Sequence, residues 1–248
     1  MEAERPVRSA SLRFRVILSL VFLAAVAVIV CMSVFRIRYV SVKGNYHISA
    51  EEVMALAGLD KGGLYFTVNE ASVRRGIESN PYLELKSFQK SIPDSVTVTV
   101  RERTAAACVA FQNRRYILDT TGFVIEEAGD DTKVPIELKG VTVRDARPGE
   151  TVTLSSQQHL NSYRTVAEEL GVQGMLGRFR ELNLTDVKNI YLVTVDGENG
   201  LVATLGTDSD IRAKLLTLGG VLQYMDMYSL NPGSLDVSVP GYCTYTPN

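Results

Sequence analysis

The residue types that most often carry out chemistry in proteins are scarce in this 248-residue chain, and they lie far apart. The two histidines, His47 and His159, have no cysteine or carboxylate nearby at the spacing of a metal site. Cys108 lies in an apolar, strand-like segment, where a cysteine usually packs in the core instead of acting as a nucleophile. We therefore expect surface or turn roles for both histidines and a core position for Cys108.

Several short patterns resemble ligand-binding motifs, but each lacks an essential part. Gly171, Gly174 and Gly177 have neither the preceding strand nor the following lysine of a phosphate-binding loop. The segment 208–210 begins like a calcium loop but lacks its glycine and its final glutamate. The carboxylate pairs at 126–127 and 130–131 are typical of solvated loops as well as of glycoside hydrolases. We therefore predict no catalytic, cofactor-binding or metal-binding residues.

Residues 16–35 form an uninterrupted apolar block without a charge. At about 1.5 Å per residue, a helix of this length spans the roughly 30 Å hydrocarbon core of a bilayer. The alternative is a cleaved signal peptide, but its apolar part would hold only about 7 to 15 residues, and no good cleavage site follows the block. The sequence therefore predicts an uncleaved transmembrane helix after a tail formed by residues 1–15.

Charge and cysteine content narrow the choice of partners. The chain carries 26 basic and 28 acidic residues, and the tail holds four of the basic residues, so the part beyond the membrane is acidic. An acidic surface argues against nucleic acid as a partner. The three cysteines form no C-x-x-C pair, which predicts neither a disulfide framework nor a zinc site.

The arginines of the tail give weak support to a cytoplasmic N-terminus.

The segment after the apolar block predicts a strand at residues 37–42 and then a well-delimited helix. Ser49 and Glu52 have the S-x-x-E spacing of a capping box, in which each side chain bonds an amide of the first helical turn. Gly58 stands where a helix C-terminal cap is expected.

A second helix and a hairpin complete this module. Thr67 and Glu70 repeat the capping-box spacing, and Asn80-Pro81 ends the helix because the residue before a proline avoids helical geometry. A strand begins near residue 83, and residues 96–100 alternate valine and threonine, as expected for a strand with one buried face. Residues 36–104 therefore predict a β-α-α-β-β module.

The rest of the chain predicts a β-rich region with two helices. Strands are expected at 105–111, 116–118, 123–125, 182–184, 190–195 and 201–205. One helix is expected from 155 to 170, with Ser155 and Gln158 as its capping box. The other carries five apolar residues at helical spacing between 211 and 225. A last strand, 234–239, precedes a polar tail.

Several separate strings occur in the order and spacing of one known family. They are YVSVKGN at 39–45, the helix start at 49–53, Asn80-Pro81, IPDSV at 92–96, VRER at 100–103, YILDTTG at 116–122, NIYL at 189–192 and GSLDV at 233–237. Together with the apolar block, they resemble FtsQ/DivIB, bitopic bacterial cell-division proteins with a POTRA domain outside the cytoplasmic membrane. The short tail and residues 128–184 depart from the family pattern.

The residues and the resemblance together predict an α+β chain. Its expected parts are a cytoplasmic tail (1–15), a transmembrane helix (16–35), a POTRA domain (36–104), a mixed, mainly antiparallel β domain with two helices (105–233), and a terminal strand with a C-terminal tail (234–248). The resemblance implies a type II membrane protein of the division septum that binds FtsL-like and FtsB/DivIC-like proteins. Its expected function is a non-enzymatic scaffold that helps to control septal peptidoglycan synthesis.

Two alternatives remain open at this stage. One is a membrane-tethered cell-wall enzyme. The other is a component of polypeptide transport, because POTRA domains also occur there. Such transport proteins generally carry a large membrane barrel, for which this chain has no room.

We place the predicted partner-binding residues at the C-terminus. A final strand has no later strand to cover its outer side, so its backbone groups can pair with a strand of a partner. Tyrosines suit such contacts because an apolar ring ends in a polar group. The predicted binding residues are Ser234, Leu235, Val237, Tyr242 and Tyr245. The alternative is that the leucine and valine only fill the core of the β domain while the tail is disordered.

Overall fold

The structure is a computed structural model, and it describes residues 8–129, 136–195, 200–228 and 233–247. The chain separates into two compact units, residues 1–102 and residues 103–248. The acidic pair at 130–131 lies outside the described residues.

The first unit begins with a long apolar helix, α1 (Arg8–Val34). Within it, Phe14–Val34 is long and apolar enough to cross a membrane, and none of this stretch is buried in the protein. An apolar helix whose side chains contact no protein core needs another apolar environment. This helix fits the predicted membrane anchor.

A three-stranded sheet and two helices follow α1, in the predicted order β-α-α-β-β. Their bounds are β1 (Tyr39–Lys43), α2 (Ala50–Leu56), α3 (Glu70–Ile77), β2 (Leu83–Ser91) and β3 (Ser95–Glu102). The strand order is β1-β3-β2, with β1 parallel to β3 and β2 antiparallel to it. The prediction of this module is confirmed.

The core of the first unit follows from the alternation along β3. Val96, Val98 and Val100 are buried, while the threonines between them are only half-buried. Val53 of α2 and Ile77 of α3 are fully buried in the same cluster. The two short helices therefore cover the valine face of the sheet, which gives each of them the tertiary packing that a helix this short requires.

The helix caps agree with the sequence at α2 and differ from it at α3. The Ser49 side chain accepts a hydrogen bond from the Glu52 amide at 3.1 Å, and Gly58 has the positive φ of a terminating glycine. The expected cap at Thr67 is wrong. Asn69 accepts the amide of Ser72 and caps α3, whereas Thr67 lies in the preceding turn, where its amide and its hydroxyl both donate to the Leu64 carbonyl.

The caps give a matched set of variants. We expect Ser49→Ala and Asn69→Ala each to lower the stability of the first unit by about 1 kcal/mol, the usual cost of a lost N-cap. Thr67→Ala should have a clearly smaller effect because Thr67 lies before the helix. Thermal unfolding of the ectodomain, residues 36–248, measures all three. A larger loss for Thr67→Ala than for Asn69→Ala would contradict the helix start seen here.

The second unit is built on a sheet that has nine strands among the described residues, in the order β14-β13-β12-β11-β10-β7-β4-β5-β6. Its strands are β4 (Ala105–Phe111), β5 (Arg114–Asp119), β6 (Val124–Glu127), β7 (Ile136–Lys139), β10 (Phe179–Asn183), β11 (Ile190–Thr194), β12 (Val202–Gly206), β13 (Gly233–Asp236) and β14 (Thr244–Pro247). A separate pair comprises β8 (Val143–Asp145) and β9 (Thr153–Leu154). Antiparallel pairs predominate, and β7 and β13 add parallel pairs. The predicted mixed sheet is confirmed.

Two helices, α4 (Gln157–Val172) and α5 (Ile211–Tyr228), pack on this unit. The five apolar residues predicted on one face of α5 are all buried in a core shared with α4. Cys108 of β4 is also buried, as expected. The cap of α4 is Ser156 instead of Ser155, because the Ser155 amide is still paired with Thr142 in extended chain. The helix passes through Gly171, and Gly174 takes the positive φ that ends it.

Candidate partner-binding edge

The expectation that residues 234–239 form the edge of the sheet is wrong. Strand β13 ends at Asp236 and lies between two neighbours, parallel to β12 and antiparallel to β14. A turn at 240–241 reverses the chain, with a positive φ at Gly241 and a hydrogen bond from the Tyr242 amide to the Val239 carbonyl. The polar tail therefore contributes the strand that covers β13.

The predicted binding residues divide into a buried and an exposed group. Leu235 and Val237 are fully buried in the core of the second unit, so their side chains hold β13 in place. Ser234, Tyr242 and Tyr245 are exposed. The structure thus brings only the exposed group to a surface that a partner can touch.

Strand β14 is the terminal strand of the sheet among the described residues, and all four of its residues are exposed. Tyr242 is 74% exposed and Tyr245 is 36% exposed. Gly233 allows β14 to approach, because a Cβ at this position would collide with the Thr246 carbonyl oxygen. The close approach of β14 therefore explains why the first residue of β13 is a glycine.

The turn between β13 and β14 is held by one carboxylate. The side chain and the backbone amide of Ser238 both hydrogen-bond Asp236, which lowers the pKa of this carboxyl despite some burial. Burial raises the pKa of the nearby Cys243 thiol, and the Asp236 charge adds to the effect. A thiol with a raised pKa is a poor nucleophile, so Cys243 is suited to packing.

A buried ion pair organises the turn between β5 and β6. Arg103 and Asp119 contact each other at 2.8 Å, with only 9% and 3% of their side chains exposed. Asp119 Oδ1 also accepts the amides of Thr121 and Phe123, and the Arg103 guanidinium lies 3.7 Å from the centroid of the Phe123 ring. The carboxylate therefore joins the start of the second unit to its first hairpin.

Helix α4 is tied to the same turn. The Tyr163 hydroxyl donates to the Asp119 carbonyl oxygen at 2.7 Å, and Arg164 Nε donates to the Thr121 carbonyl oxygen at 2.7 Å. Tyr163 is fully buried, and its burial, together with the Asp119 charge, raises the pKa of its hydroxyl well above the usual value. The hydroxyl therefore acts as a neutral hydrogen-bond donor that positions α4.

A second carboxylate, Glu102, fixes the loop after β1. Its oxygens accept the backbone amides of Tyr46, His47 and Ile48 at 2.6 to 3.0 Å and also contact His47 Nδ1 at 2.9 Å. Burial by itself raises the pKa of Glu102, but these donors together lower it to about 2. The histidine side chain itself is 93% exposed, in keeping with the predicted surface role.

The segment at 208–210, which resembled the start of a calcium loop, has a structural partner. Asp208 accepts a hydrogen bond from the Ser162 hydroxyl at 2.7 Å, which links the approach to α5 with α4. Among the described residues, no group of three or more His, Cys, Asp or Glu side chains could hold a metal ion. The absence of a cofactor stays a prediction.

Comparison with known proteins assigns both units. Residues 35–103 match the POTRA domain, FtsQ-type. The chain is 24% identical to the cell division protein DivIB of Clostridium botulinum over 233 residues, which is 92% of this chain and 88% of the relative. It is 27% identical to the cell division protein FtsQ of Syntrophotalea carbinolica over 205 residues, 77% of this chain and 70% of the relative. The chain is therefore similar to FtsQ/DivIB cell-division proteins over most of its length.

The structure gives two of the strings shared with FtsQ/DivIB proteins a physical meaning. The string at 100–103 contains both Glu102, which holds the loop of the POTRA domain, and Arg103, which pairs with Asp119. The string at 116–122 contains Asp119 itself. These strings are therefore structural, and a role in cell division is supported by the relatives and not by a catalytic site.

Sequence reasoning missed two features of this chain. It found no strand in the tail, although Thr244, Tyr245 and Thr246 are residue types favoured in strands. It also assigned no role to Glu102, whose donors lie more than 50 residues earlier in the chain. The tail carried a usable local signal, whereas the Glu102 contacts depend on the tertiary fold.

Proposed function

We propose that this chain is a non-enzymatic scaffold of the bacterial division machinery that helps to control septal peptidoglycan synthesis through protein contacts. The observation that carries the proposal is the similarity to DivIB across 92% of the chain, which includes both units behind a single apolar helix. A scaffold of this kind needs an anchor, a folded ectodomain and an exposed surface for partners. Helix α1, the two units and the β14 edge supply these three parts.

The proposal includes a type II topology, with residues 36–248 outside the cytoplasm and concentrated at the septum. Four arginines precede the apolar helix, in keeping with a cytoplasmic N-terminus. In a variant without native cysteines, a membrane-impermeant thiol reagent should label a cysteine at position 248 in intact cells. A cysteine at position 9 should be labelled only after lysis. The reverse pattern would contradict the orientation.

The proposed partners are FtsL-like and FtsB/DivIC-like proteins, and the proposed contact is addition of a partner strand to β14. An exposed terminal strand offers backbone groups that a partner strand can pair with, and alternate side chains then provide selectivity. Tyr242 and Tyr245 supply two aromatic rings near this edge, the residue type most often found among strong interface contacts. Ser234 lies one strand further in, beside Thr246.

The edge proposal predicts a large loss of binding. Removing residues 241–248 deletes β14 and should abolish binding of an FtsB/DivIC-like ectodomain in a pull-down. The double substitution of Tyr242→Ala with Tyr245→Ala should weaken binding by roughly tenfold or more, because an interface tyrosine commonly contributes above 1 kcal/mol.

The control is Tyr46→Ala, which removes an exposed tyrosine from the first unit and should leave this binding unchanged. Circular dichroism must show that each variant remains folded. Undiminished binding by a folded truncation would exclude β14 from the interface.

A further inference from the structure

The segment where the chain leaves α1 is bonded directly to a loop of the POTRA domain. The amide of Tyr65 donates to the Phe35 carbonyl, the amide of Ile37 donates to the Gly63 carbonyl, and the amide of Gly62 donates to the Ile37 carbonyl, at 2.7 to 3.1 Å. These bonds fix loop 60–66 against the first residues beyond the apolar helix. The loop cannot move away from the end of α1 without breaking them.

This attachment sets the depth of the loop relative to a bilayer that α1 spans. Ile37 is three residues beyond the end of α1, and an extended chain covers at most about 3.6 Å per residue. The polar interface of a bilayer extends roughly 5 to 7 Å beyond the hydrocarbon core on each side. Phe35, which accepts the Tyr65 amide, is only one residue beyond α1, so loop 60–66 lies within, or at the border of, the lipid headgroup layer.

The loop exposes an aromatic ring at this level. Phe66 is 64% exposed, and its ring centroid lies 4.9 Å from that of Phe35, the residue that follows α1. The neighbouring Tyr65 is buried in the core, and Lys90 Nζ lies 4.4 Å from the centroid of its ring. The exposed ring is thus carried by a firmly packed loop, and it has no core to fill.

The turn between β2 and β3 reaches the same end of the domain. The carbonyl of Asp94 accepts the amides of Arg38 and Tyr39, at the start of β1. Ile92, two residues before this aspartate, is 75% exposed. An exposed isoleucine and an exposed phenylalanine therefore flank the point where the chain emerges from α1.

Basic side chains accompany these two apolar residues. Three basic residues, Arg36, Arg38 and Lys61, are exposed in these segments. The same segments hold two acidic residues, Asp60 and Asp94. Exposed apolar side chains with a basic surround are the combination that binds the interface of a membrane with anionic lipids.

We propose that loop 60–66 and the β2–β3 turn form a membrane-contacting surface, which inserts Phe66 and Ile92 into the outer interface of the bilayer. The proposal rests on α1 as a transmembrane anchor. Its consequence is that the POTRA domain is seated on the membrane and does not swing freely on a flexible tether. The bilayer is the favoured occupant because the surface is joined by hydrogen bonds to the end of the span.

The chain contains no tryptophan, so a single introduced tryptophan reports its own surroundings. The full chain is reconstituted into vesicles of phosphatidylethanolamine and phosphatidylglycerol that carry brominated acyl chains. Phe66→Trp and Ile92→Trp should emit at shorter wavelength than Tyr46→Trp in the same vesicles and should be quenched most by bromines placed near the headgroups. The matched control is Tyr46→Trp, an exposed site after the far end of β1, which should not be quenched.

Phe22→Trp, in the middle of α1, tests the membrane anchor separately from the membrane-contacting surface. Its tryptophan should be quenched most by bromines near the bilayer centre. If this variant is quenched while Phe66→Trp and Ile92→Trp are not, the surface faces water or a protein, and the inference is overturned although the anchor stands. If none of the three is quenched, the anchor itself is wrong.

Discussion

Replacing Asp119 with alanine is expected to destabilise the second unit by about 3 to 5 kcal/mol, the typical cost of breaking a buried ion pair by removing one partner. The substitution leaves Arg103, only 9% exposed, without its carboxylate. It also removes the acceptor for the amides of Thr121 and Phe123, which hold the turn between β5 and β6. Urea unfolding of the ectodomain, combined with hydrogen exchange of the α4 amides, measures the loss.

A surface ion pair in the same hairpin provides the control for Asp119→Ala. Arg114 and Glu127 are 2.8 Å apart, but their side chains are 62% and 42% exposed. Solvent screening makes such a pair contribute little, so Glu127→Ala should leave the unfolding curve almost unchanged. Equal losses for Asp119→Ala and Glu127→Ala would contradict the conclusion that the buried pair of Arg103 and Asp119 stabilises this unit.

The sequence predicted those parts of the fold that depend on local pattern. The valine and threonine alternation of residues 96–100 gave the correct buried face of β3, because side chains in a strand alternate strictly between its two sides. The apolar spacing along α5 gave its buried face in the same way. Both patterns are complete within a short stretch of chain.

Cap positions were less predictable because several candidate residues stand close together. Thr67 and Asn69 both precede α3, and Ser155 and Ser156 both precede α4. Which of them caps depends on where the preceding chain is held, by Leu64 in one case and by Thr142 in the other. The parallel pairs that place β7 beside β4 and β10 have no local signal of any kind.

The candidate partner-binding edge was likewise predictable only where it depends on local sequence pattern. The tyrosines of the tail are exposed on and beside the terminal strand, whereas the prediction assigned the edge to the wrong strand. Among the described residues, the strand at this end of the sheet is β14 instead of β13. The error came from reading the polar tail after Gly241 as irregular chain.

Acid should remove the contribution of Glu102 to the stability of the folded protein. This carboxylate holds the loop after β1. The pKa of Glu102 is about 2 in the folded protein, below its usual value of 4.5. A carboxyl whose pKa is lowered by folding stabilises the folded state while it is ionised, fully above the unfolded pKa. The contribution therefore disappears as the pH falls from about 4.5 to about 2, where the folded form also becomes protonated.

Glu102→Gln tests this contribution because glutamine keeps the shape of the side chain and removes its charge. Hydrogen bonds to a charged group typically contribute about 1.5 to 3 kcal/mol, and we expect a loss of about 2 kcal/mol at neutral pH. The difference in unfolding free energy between the two proteins should stay constant above pH 5 and shrink towards pH 2. His47→Ala is the control: the ring is 93% exposed, so most of the effect must come from the amides of Tyr46, His47 and Ile48, which this variant retains. A loss as large for His47→Ala as for Glu102→Gln would assign the stabilisation to the contact with the imidazole ring instead of the amides.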